Sequence, residues 1–252
     1  MTIAEKILRA KADYDEVYEA GKNSGGGADS YYDTFWDAYQ ENGNRVNYHG
    51  AFAGTGWTAK TFKPKHTIRP TAAIQMFWNF NKGNNKEYYP LLDFTPFNDL
   101  LDFSAVKDFS SFMDNARISN VFVDLSSATN VTRAFASENG GTIDYLTLRV
   151  TSSLTSYSST FSAQRNMRHV YFTEDSVIAG SLSFGACPSL AKDSITSIFN
   201  ALSASTSGNK LTLVKIAVEK AFETSNGAND GTTSAEWTTL VNSKSNWTIS
   251  LF

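Results

Sequence analysis

Phenylalanines recur at long, regular intervals between residues 100 and 190, where the apolar positions follow neither a helical period nor a simple alternation. Phe112, Phe135, Phe161 and Phe184 stand 23, 26 and 23 residues apart. Sequence periods of about 20–50 residues are typical of stacked repeat structures. The first three phenylalanines are each followed by a short strand-like segment: NVFVDLS, DYLTLRV and HVYFTE. The pattern predicts a unit made of a turn, an inward Phe, a loop and a short strand that stacks on its neighbours.

Side chains alternate between two faces within these strand-like segments, as they do along any β-strand. We expect one set to face the core: Val121, Val123, Leu125, Leu146, Leu148, Val150, Val170 and Phe172. The alternate set then faces outward: Asn120, Phe122, Asp124, Tyr145, Thr147, Arg149, His169, Tyr171 and Thr173.

The outward set contains the candidate binding residues. Aromatic and Arg side chains dominate recognition hot spots, and aromatic rings also stack on sugars. The candidate ligand-binding face consists of Phe122, Tyr145, Arg149, His169 and Tyr171. The alternatives are that the C-terminal region, or an aromatic helix near Trp36, covers this face, or that the face is ordinary exposed surface.

The N-terminal segment predicts a helix for assembly. Its apolar residues are spaced by 4, 3, 4 and 3 positions: Ile3, Ile7, Ala10, Tyr14 and Val17. This heptad spacing places them along one side of a helix over residues 1–22. A Gly-rich tether at residues 23–30 follows, which would be unusual behind a helix packed on its own core. We therefore favour self-association through this helix over docking on the same chain.

The regions flanking the repeats predict caps, which a stack of repeat units needs at its ends. We expect residues 31–99 to form a helical and turn-rich N-terminal cap. Residues 191–252 predict an α/β cap, in which Asp193 is the N-cap of a helix in DSITSIFNALSAS. A strand in KLTLVKI, a helix at 218–222, a helix in SAEWTTLVNS and a strand in WTISLF follow. The predicted fold class is an α+β repeat, a short solenoid over residues 100–190 with these two flanks.

These residues resemble a known family. The Phe-anchored units, with SSTFSAQRNMRHVYF and GSLSFGACPSLAKDSITSIFNAL, look like the BspA-like leucine-rich-repeat proteins. The segments AEKILRAKADYDEVYEAG, DTFWDAYQENGNR, AFAGTGWTAKTFKP and AFETSNGANDGTTSAEWTTLVNSKSNWTI resemble a group encoded in phages and prophages of Gram-positive, largely gut, bacteria. The resemblance covers nearly the whole chain and implies a curved solenoid of leucine-rich-repeat type, with a role in virion or surface attachment. This chain has Phe and Val where the family commonly has Leu, and its units before Phe112 are poorly formed.

The overall charge argues against a nucleic-acid partner. The formal net charge is -3 and the pI is about 5.6, whereas neutralising phosphates needs a basic surface. The densest basic run, KTFKPKHTIRP, is typical of a solvated connector. The charged N-terminus lacks the apolar stretch of a signal peptide, and no window approaches the length of a membrane span. We expect a chain made in the bacterial cytoplasm, not inserted in a membrane, that ends in a virion or outside the lysed host.

The sequence gives little support for a metal site, a cofactor site or a catalytic triad. Cys187 is the single cysteine, and we expect it to be a core thiol without a metal or cofactor. The histidines are His49, His66 and His169, and neither a nucleophile elbow nor a zinc-protease motif accompanies them.

Aspartates at the ends of the strand-like segments allow two interpretations. Asp readily bonds backbone amides in turns, so we expect structural roles for Asp93, Asp102 and Asp124. The competing interpretation is a polysaccharide-degrading enzyme that uses two carboxylates from Asp102, Asp124 and Asp144.

The function favoured by these patterns is non-enzymatic binding to a host-surface protein or glycan, with other virion proteins as further partners and no catalytic residues. The alternatives are a capsule- or cell-wall-degrading enzyme on the same scaffold and a purely structural virion spacer.

Overall fold

The computed structural model describes residues 46–47, 52, 62, 67–81, 90–138, 141–223 and 231–252. The helix and tether predicted over residues 1–30 lie outside the described residues, as does the aromatic helix near Trp36. The self-association residues lie outside them too: Ile3, Ile7, Ala10, Tyr14 and Val17.

Parallel strands and three helices make up the regular structure of the described residues. The strands are β1 (Val46–Asn47), β2 (Pro70–Ala72), β3 (Leu92–Asp93), β4 (Arg117–Asp124), β5 (Thr142–Arg149), β6 (Val170–Phe172), β7 (Leu182–Phe184), β8 (Asn209–Leu213) and β9 (Trp247–Leu251). The helices are α1 (Lys192–Ala201), α2 (Lys215–Ala221) and α3 (Ala235–Asn242), with 3-10 helices at Thr95–Leu100 and Gly231–Thr233. Within the described part, the strands form sheets ordered β1-β2, β3-β4-β5-β6 and β7-β8-β9.

The β3–β6 sheet stacks strands from successive segments in register. Phe122 pairs with Thr147, and Thr147 pairs with Tyr171, so neighbouring strands are offset by 25 and 24 residues along the chain. The expected inward set is buried: Val121, Val123, Leu125, Leu146, Leu148, Val150, Val170 and Phe172. The predicted alternation of the two faces is therefore confirmed.

A second ladder of backbone hydrogen bonds joins the turn segments that precede the strands. Alternate amides of one segment donate to alternate carbonyls of the next. One set joins Ser111 to Thr132, Met113 to Ala134 and Asn115 to Ala136 at 2.7–2.9 Å. The next set joins Arg133 to Ser158, Phe135 to Thr160 and Ser137 to Ser162 at 2.8–3.2 Å. Each unit is thus held to its neighbour on both sides of the core.

Phenylalanine rings fill the space between the two ladders. The ring centroids of Phe112 and Phe135 are 6.3 Å apart, those of Phe135 and Phe161 are 5.7 Å apart, and those of Phe161 and Phe184 are 4.4 Å apart. Phe77 extends this contact series toward the N-terminus, with its ring centroid 5.5 Å from that of Phe112. Phe77 lies 35 residues before Phe112, so the series of ring contacts includes a residue outside the 23- to 26-residue spacing of the later phenylalanines. The assignment to the leucine-rich-repeat type stays a prediction.

Helix α1 covers the edge of the four-stranded sheet. The amides of Val170 and Phe172 on β6 donate to the hydroxyls of Ser194 and Ser197 on α1, at 3.1 and 2.9 Å. An open strand edge offers unpaired amides to other chains, and covering it with a helix removes that hazard. The β7–β9 sheet begins on the turn side of the core, where the ring of Phe184 lies on that of Phe161.

The prediction that Asp193 is the N-cap of α1 is wrong. The N-cap is Ala191, because the amide of Ile195 already donates to the carbonyl of Ala191 at 3.1 Å and the helix starts at Lys192. Asp193 lies in the first turn, where its Oδ1 accepts the amide of Ser194 at 2.8 Å. The other oxygen of its carboxylate, Oδ2, faces β6.

Cys187 lies in the core, as predicted. It is fully buried, and its Sγ lies 3.6 Å from the carbonyl oxygen of Phe161. Burial raises the pKa of this thiol to about 12, because the thiolate would lose its hydration.

Candidate ligand-binding face

The five predicted binding residues lie on the outward side of β4, β5 and β6 or beside them. Among the aromatic residues of this set, Tyr145 has the largest exposed fraction, 41%, and Arg149 is exposed as well. Phe122, His169 and Tyr171 are half-buried. We call this set of five residues the aromatic face. The structure brings them to one side of the sheet, and their role in binding stays a prediction.

Three of the five residues form a row of rings. The ring of His169 lies against that of Tyr145, with centroids 4.0 Å apart and planes 14° apart. The ring of Tyr171 follows, with its centroid 6.3 Å from that of His169. Phe122 is separated from this row, since Thr147 lies between Phe122 and Tyr171 in the strand register.

An unusual backbone conformation places Tyr145 on this face. Tyr145 has a φ of 51°, and Asn120 at the corresponding level of β4 has a φ of 56°. Both lie between the paired positions Ser119–Asp144 and Val121–Leu146, so the two strands share one irregularity. A bulky residue at positive φ costs on the order of 1–3 kcal/mol. Positive φ also occurs in the turn segments, at Ser111 and Arg133, so this conformation positions the ring of Tyr145 but does not by itself mark a functional site.

Asp144 supports the row from below. The carboxylate is 4% exposed, and its Oδ1 accepts the backbone amides of Tyr145 at 3.1 Å, Arg168 at 3.2 Å and His169 at 2.9 Å. Nδ1 of His169 lies 3.1 Å from the same oxygen, and Nη2 of Arg168 donates to Oδ2 at 3.2 Å. These contacts orient His169 under Tyr145. They also make Asp144 a support for the row of rings, whereas the sequence suggested only a possible catalytic carboxylate.

Arg149 is held by two carboxylates at the other end of β5. Its Nη2 lies 2.7 Å from Oδ2 of Asp175, and its Nη1 lies 3.6 Å from Oδ2 of Asp124. The Thr173 hydroxyl, and after it Arg149, lower the pKa of Asp175. The charge of Arg149 is therefore balanced on the protein surface, and the aromatic face presents no excess of positive charge.

Tyr171 connects the row of rings to α1. Its hydroxyl donates to Oδ2 of Asp193 at 2.8 Å. Partial burial, and then the carboxylate of Asp193, raise the pKa of Tyr171 to about 12. Sequence reasoning missed Asp193 as a neighbour of this face, because it placed the residue at the helix N-cap.

The aspartates at the strand ends have the turn geometry expected of them. Oδ1 of Asp93 accepts the amide of Thr95 at 2.9 Å, Oδ1 of Asp102 accepts that of Ser104 at 3.1 Å, and Oδ1 of Asp124 accepts that of Ser126 at 2.8 Å. The amide of Thr95 is also the main cause of a lowered pKa at Asp93. The predicted hydrogen bonds between these three carboxylates and nearby backbone amides are confirmed, and their structural role stays a prediction.

Other candidate chemistry is limited to what the described residues show. His49 and His66 lie outside them, and His169 belongs to the row of rings. Among the described residues, no group of three or more His, Cys, Asp or Glu side chains is placed to hold a metal ion. No helix in the described ranges combines the length and the hydrophobicity needed to cross a membrane.

Comparison with known proteins adds no relative to this description. The chain matches no protein-family model, no curated protein and no solved structure.

Proposed function

We propose that the protein is a non-enzymatic surface or virion protein of phage or prophage type, which binds a host-surface protein or glycan through the aromatic face. The observation that carries this proposal is the row formed by Tyr145, His169 and Tyr171 on the outward side of the β3–β6 sheet. Exposed aromatic side chains with a fixed orientation bind at low entropic cost, because few rotatable bonds need to be ordered.

The rigidity of the row supports the same function. His169 is fixed by its ring contact with Tyr145 and by its two contacts with Asp144, and Tyr171 is fixed by its hydrogen bond to Asp193. Residues that are preorganised in this way lose little freedom when a ligand binds, so more of the contact energy appears as affinity.

Adsorption to bacterial cells tests the binding role. The triple variant Tyr145→Ala, Arg149→Ala, Tyr171→Ala removes the exposed part of the aromatic face, and we expect it to adsorb at least about tenfold more weakly to Gram-positive cells. Trp78→Ala is the matched control, since Trp78 is 39% exposed, close to the 41% of Tyr145, and lies on a turn segment rather than on the sheet. Equal adsorption by the triple variant and the unchanged protein would contradict the proposed face.

Release of sugar distinguishes this proposal from an enzyme on the same scaffold. We expect no soluble sugar to be released when the protein is incubated with Gram-positive cell envelopes or capsular polysaccharide. Release that disappears in Asp102→Asn or Asp124→Asn would instead support the polysaccharide-degrading alternative. Assembly without any adsorption to cells would support the structural spacer.

Self-association is the second part of the proposal and rests on the heptad spacing of residues 1–22. We expect the full chain to be oligomeric at micromolar concentration and to become monomeric when residues 1–25 are deleted. Light scattering after size-exclusion chromatography measures both masses. A full chain that is already monomeric would contradict this part of the proposal and leave the binding role intact.

A further inference from the structure

We propose that the groove between the end of β6 and helix α1 binds a carbohydrate unit, so that the aromatic face and this groove together hold one oligosaccharide. This inference rests on the proposed binding function and specifies both its ligand class and an additional site. The groove has a volume of about 710 Å³, within the range of about 300–1,000 Å³ typical of small-molecule sites. Its lining includes Phe172, Thr173, Glu174, Lys192, Asp193 and Asn200.

The groove is continuous with the row of rings. Tyr171 is the last ring of the row, and its hydroxyl donates to Asp193, which lines the groove. Thr173, two positions further along the same outward side, lines the groove as well. Strands in a sheet are about 4.8 Å apart, so the path from Tyr145 on β5 across β6 to α1 is on the order of 10 Å. A ligand that uses the whole path has to be longer than one sugar ring.

Two side chains of the groove have hydrogen-bonding groups without a partner in the described part of the protein. Glu174 and Asn200 are exposed, and the side chain of neither makes a hydrogen bond to any residue in the described ranges. Together they offer a carboxylate acceptor and an amide that both donates and accepts. A polyhydroxyl ligand matches this combination, because each sugar hydroxyl donates one hydrogen bond and accepts others.

The charge of the groove excludes an anionic ligand as its natural occupant. Glu174 and Asp193 are both acidic, and the Lys192 ammonium lies 2.6 Å from Oε2 of Glu236. The positive charge in the groove is therefore already paired, and a phosphate or sulfate group would meet two carboxylates. A neutral or amide-bearing sugar meets no such repulsion.

A peptide ligand fits the groove less well than a sugar. Peptide recognition relies on apolar anchors that enter a pocket, and the large apolar side chain in the lining, Phe172, is only 9% exposed. Phe172 therefore offers little of its own surface to such an anchor. Rings beside a groove that carries hydrogen-bonding side chains instead present an apolar surface for a sugar face and hydrogen-bonding groups for its hydroxyls.

The test uses the full chain, Gram-positive bacterial cells and chemically treated cells. Periodate oxidises the vicinal diols of glycans, and protease removes surface proteins. We expect binding to be lost after periodate treatment and kept after protease treatment. We also expect the double variant Glu174→Gln, Asn200→Ala to bind untreated cells about tenfold more weakly, because it replaces a charged acceptor by a neutral amide and deletes the amide of Asn200.

The matched control is Glu223→Gln, Asn242→Ala, which makes the same two changes at exposed positions outside the groove. We expect this control to bind like the unchanged protein. Melting temperatures show whether each variant is folded. Glu174→Gln alone, a nearly isosteric change at an exposed residue, serves if the double variant is destabilised, and it should still weaken binding severalfold.

The outcomes separate this inference from the proposed function. If binding survives periodate treatment and is lost after protease treatment, the binding function stands and the ligand is not a glycan. If binding is lost after periodate treatment but is equal in the groove variant and its control, the ligand is a glycan and the groove is not its binding site. Absence of binding to any cells would overturn the proposed function and this inference with it.

Discussion

The rings of Tyr145 and His169 are stacked at a centroid distance of 4.0 Å, although the two residues are 24 positions apart in the chain. The carboxylate of Asp144 accepts the backbone amides of both residues. One buried acidic group therefore sets the position of two neighbouring rings on the outward side of the sheet.

Replacing Tyr145 by Asn should weaken binding without lowering stability by much. Asn tolerates the positive φ of 51° better than Tyr, which offsets the lost ring contact with His169. We expect the melting temperature to stay within about 4 °C, since the two effects are each on the order of 1 kcal/mol. Adsorption to Gram-positive cells should fall about tenfold. Unchanged adsorption by a folded variant would show that the exposed ring has no part in binding.

Replacing Asp144 by Ala should destabilise the fold strongly. The change removes the acceptor of three backbone amides and leaves these groups without their partner in a site that is 4% exposed. We expect the free energy of unfolding to fall by about 3 kcal/mol or more, measured by urea denaturation.

Asp124→Ala is the control for this change. Asp124 accepts one backbone amide, that of Ser126, and its ion pair with Arg149 is longer at 3.6 Å. We expect its loss to cost about 1 kcal/mol. Similar losses for the two variants would contradict the supporting role of Asp144.

The phenol of Tyr171 should ionise well above the pH at which an ordinary tyrosine ionises. Its pKa is raised to about 12, chiefly by partial burial and then by Asp193, compared with about 10 for an exposed tyrosine. Subtracting the ultraviolet titration of Tyr171→Phe from that of the unchanged protein isolates this group. A difference curve with its midpoint near pH 10 would contradict the contact with Asp193.

The same shift makes stability depend on alkaline pH. The folded state holds the phenol proton more tightly than the unfolded state, so the folded protein binds more protons between about pH 10 and 12. The contribution of Tyr171 to stability is therefore constant below about pH 10 and falls as the pH rises toward 12. Urea denaturation should show that Tyr171→Phe loses less stability over this range than the unchanged protein.

Replacing Phe135 by Ala should cost far more stability than replacing Phe122 by Ala. Phe135 is fully buried and its ring contacts those of Phe112 and Phe161, whereas Phe122 is half-buried on the outward side. We expect a loss of about 3–5 kcal/mol for Phe135→Ala, and less than about 2 kcal/mol for Phe122→Ala. Comparable losses in urea denaturation would contradict the central position of the Phe135 ring.

Local alternation in the sequence was enough to find most strands and helices. Apolar residues at every second position mark the second halves of β4 and β5, where Val121, Val123, Leu146 and Leu148 are buried as expected. The elements α1, β8, α2, α3 and β9 follow one another in the predicted order. The aromatic face was also predictable, because the side opposite a buried strand face is fixed by the alternation itself.

Features that depend on the register between distant segments were not predictable. Strand β7 has three residues, too few for a clear period, and Phe77 stands outside the regular spacing of the later phenylalanines. The burial of Asp144 requires the backbone around Arg168, 24 residues later, to lie beside it. A single sequence contains the residues for these contacts but does not say which segments meet.

The turn-side ladder has a consequence for how such a protein can vary. The amides of Ser111, Met113 and Asn115 donate to main-chain carbonyls of the following segment, and such groups are nearly the same in every residue except proline. An in-frame duplication or loss of one segment would therefore keep this ladder, whereas side-chain pairs such as Arg133 with Asp114 would need compatible residues. Such a change would lengthen or shorten the ladder by one whole unit and leave the end that carries Tyr171 and α1 chemically the same.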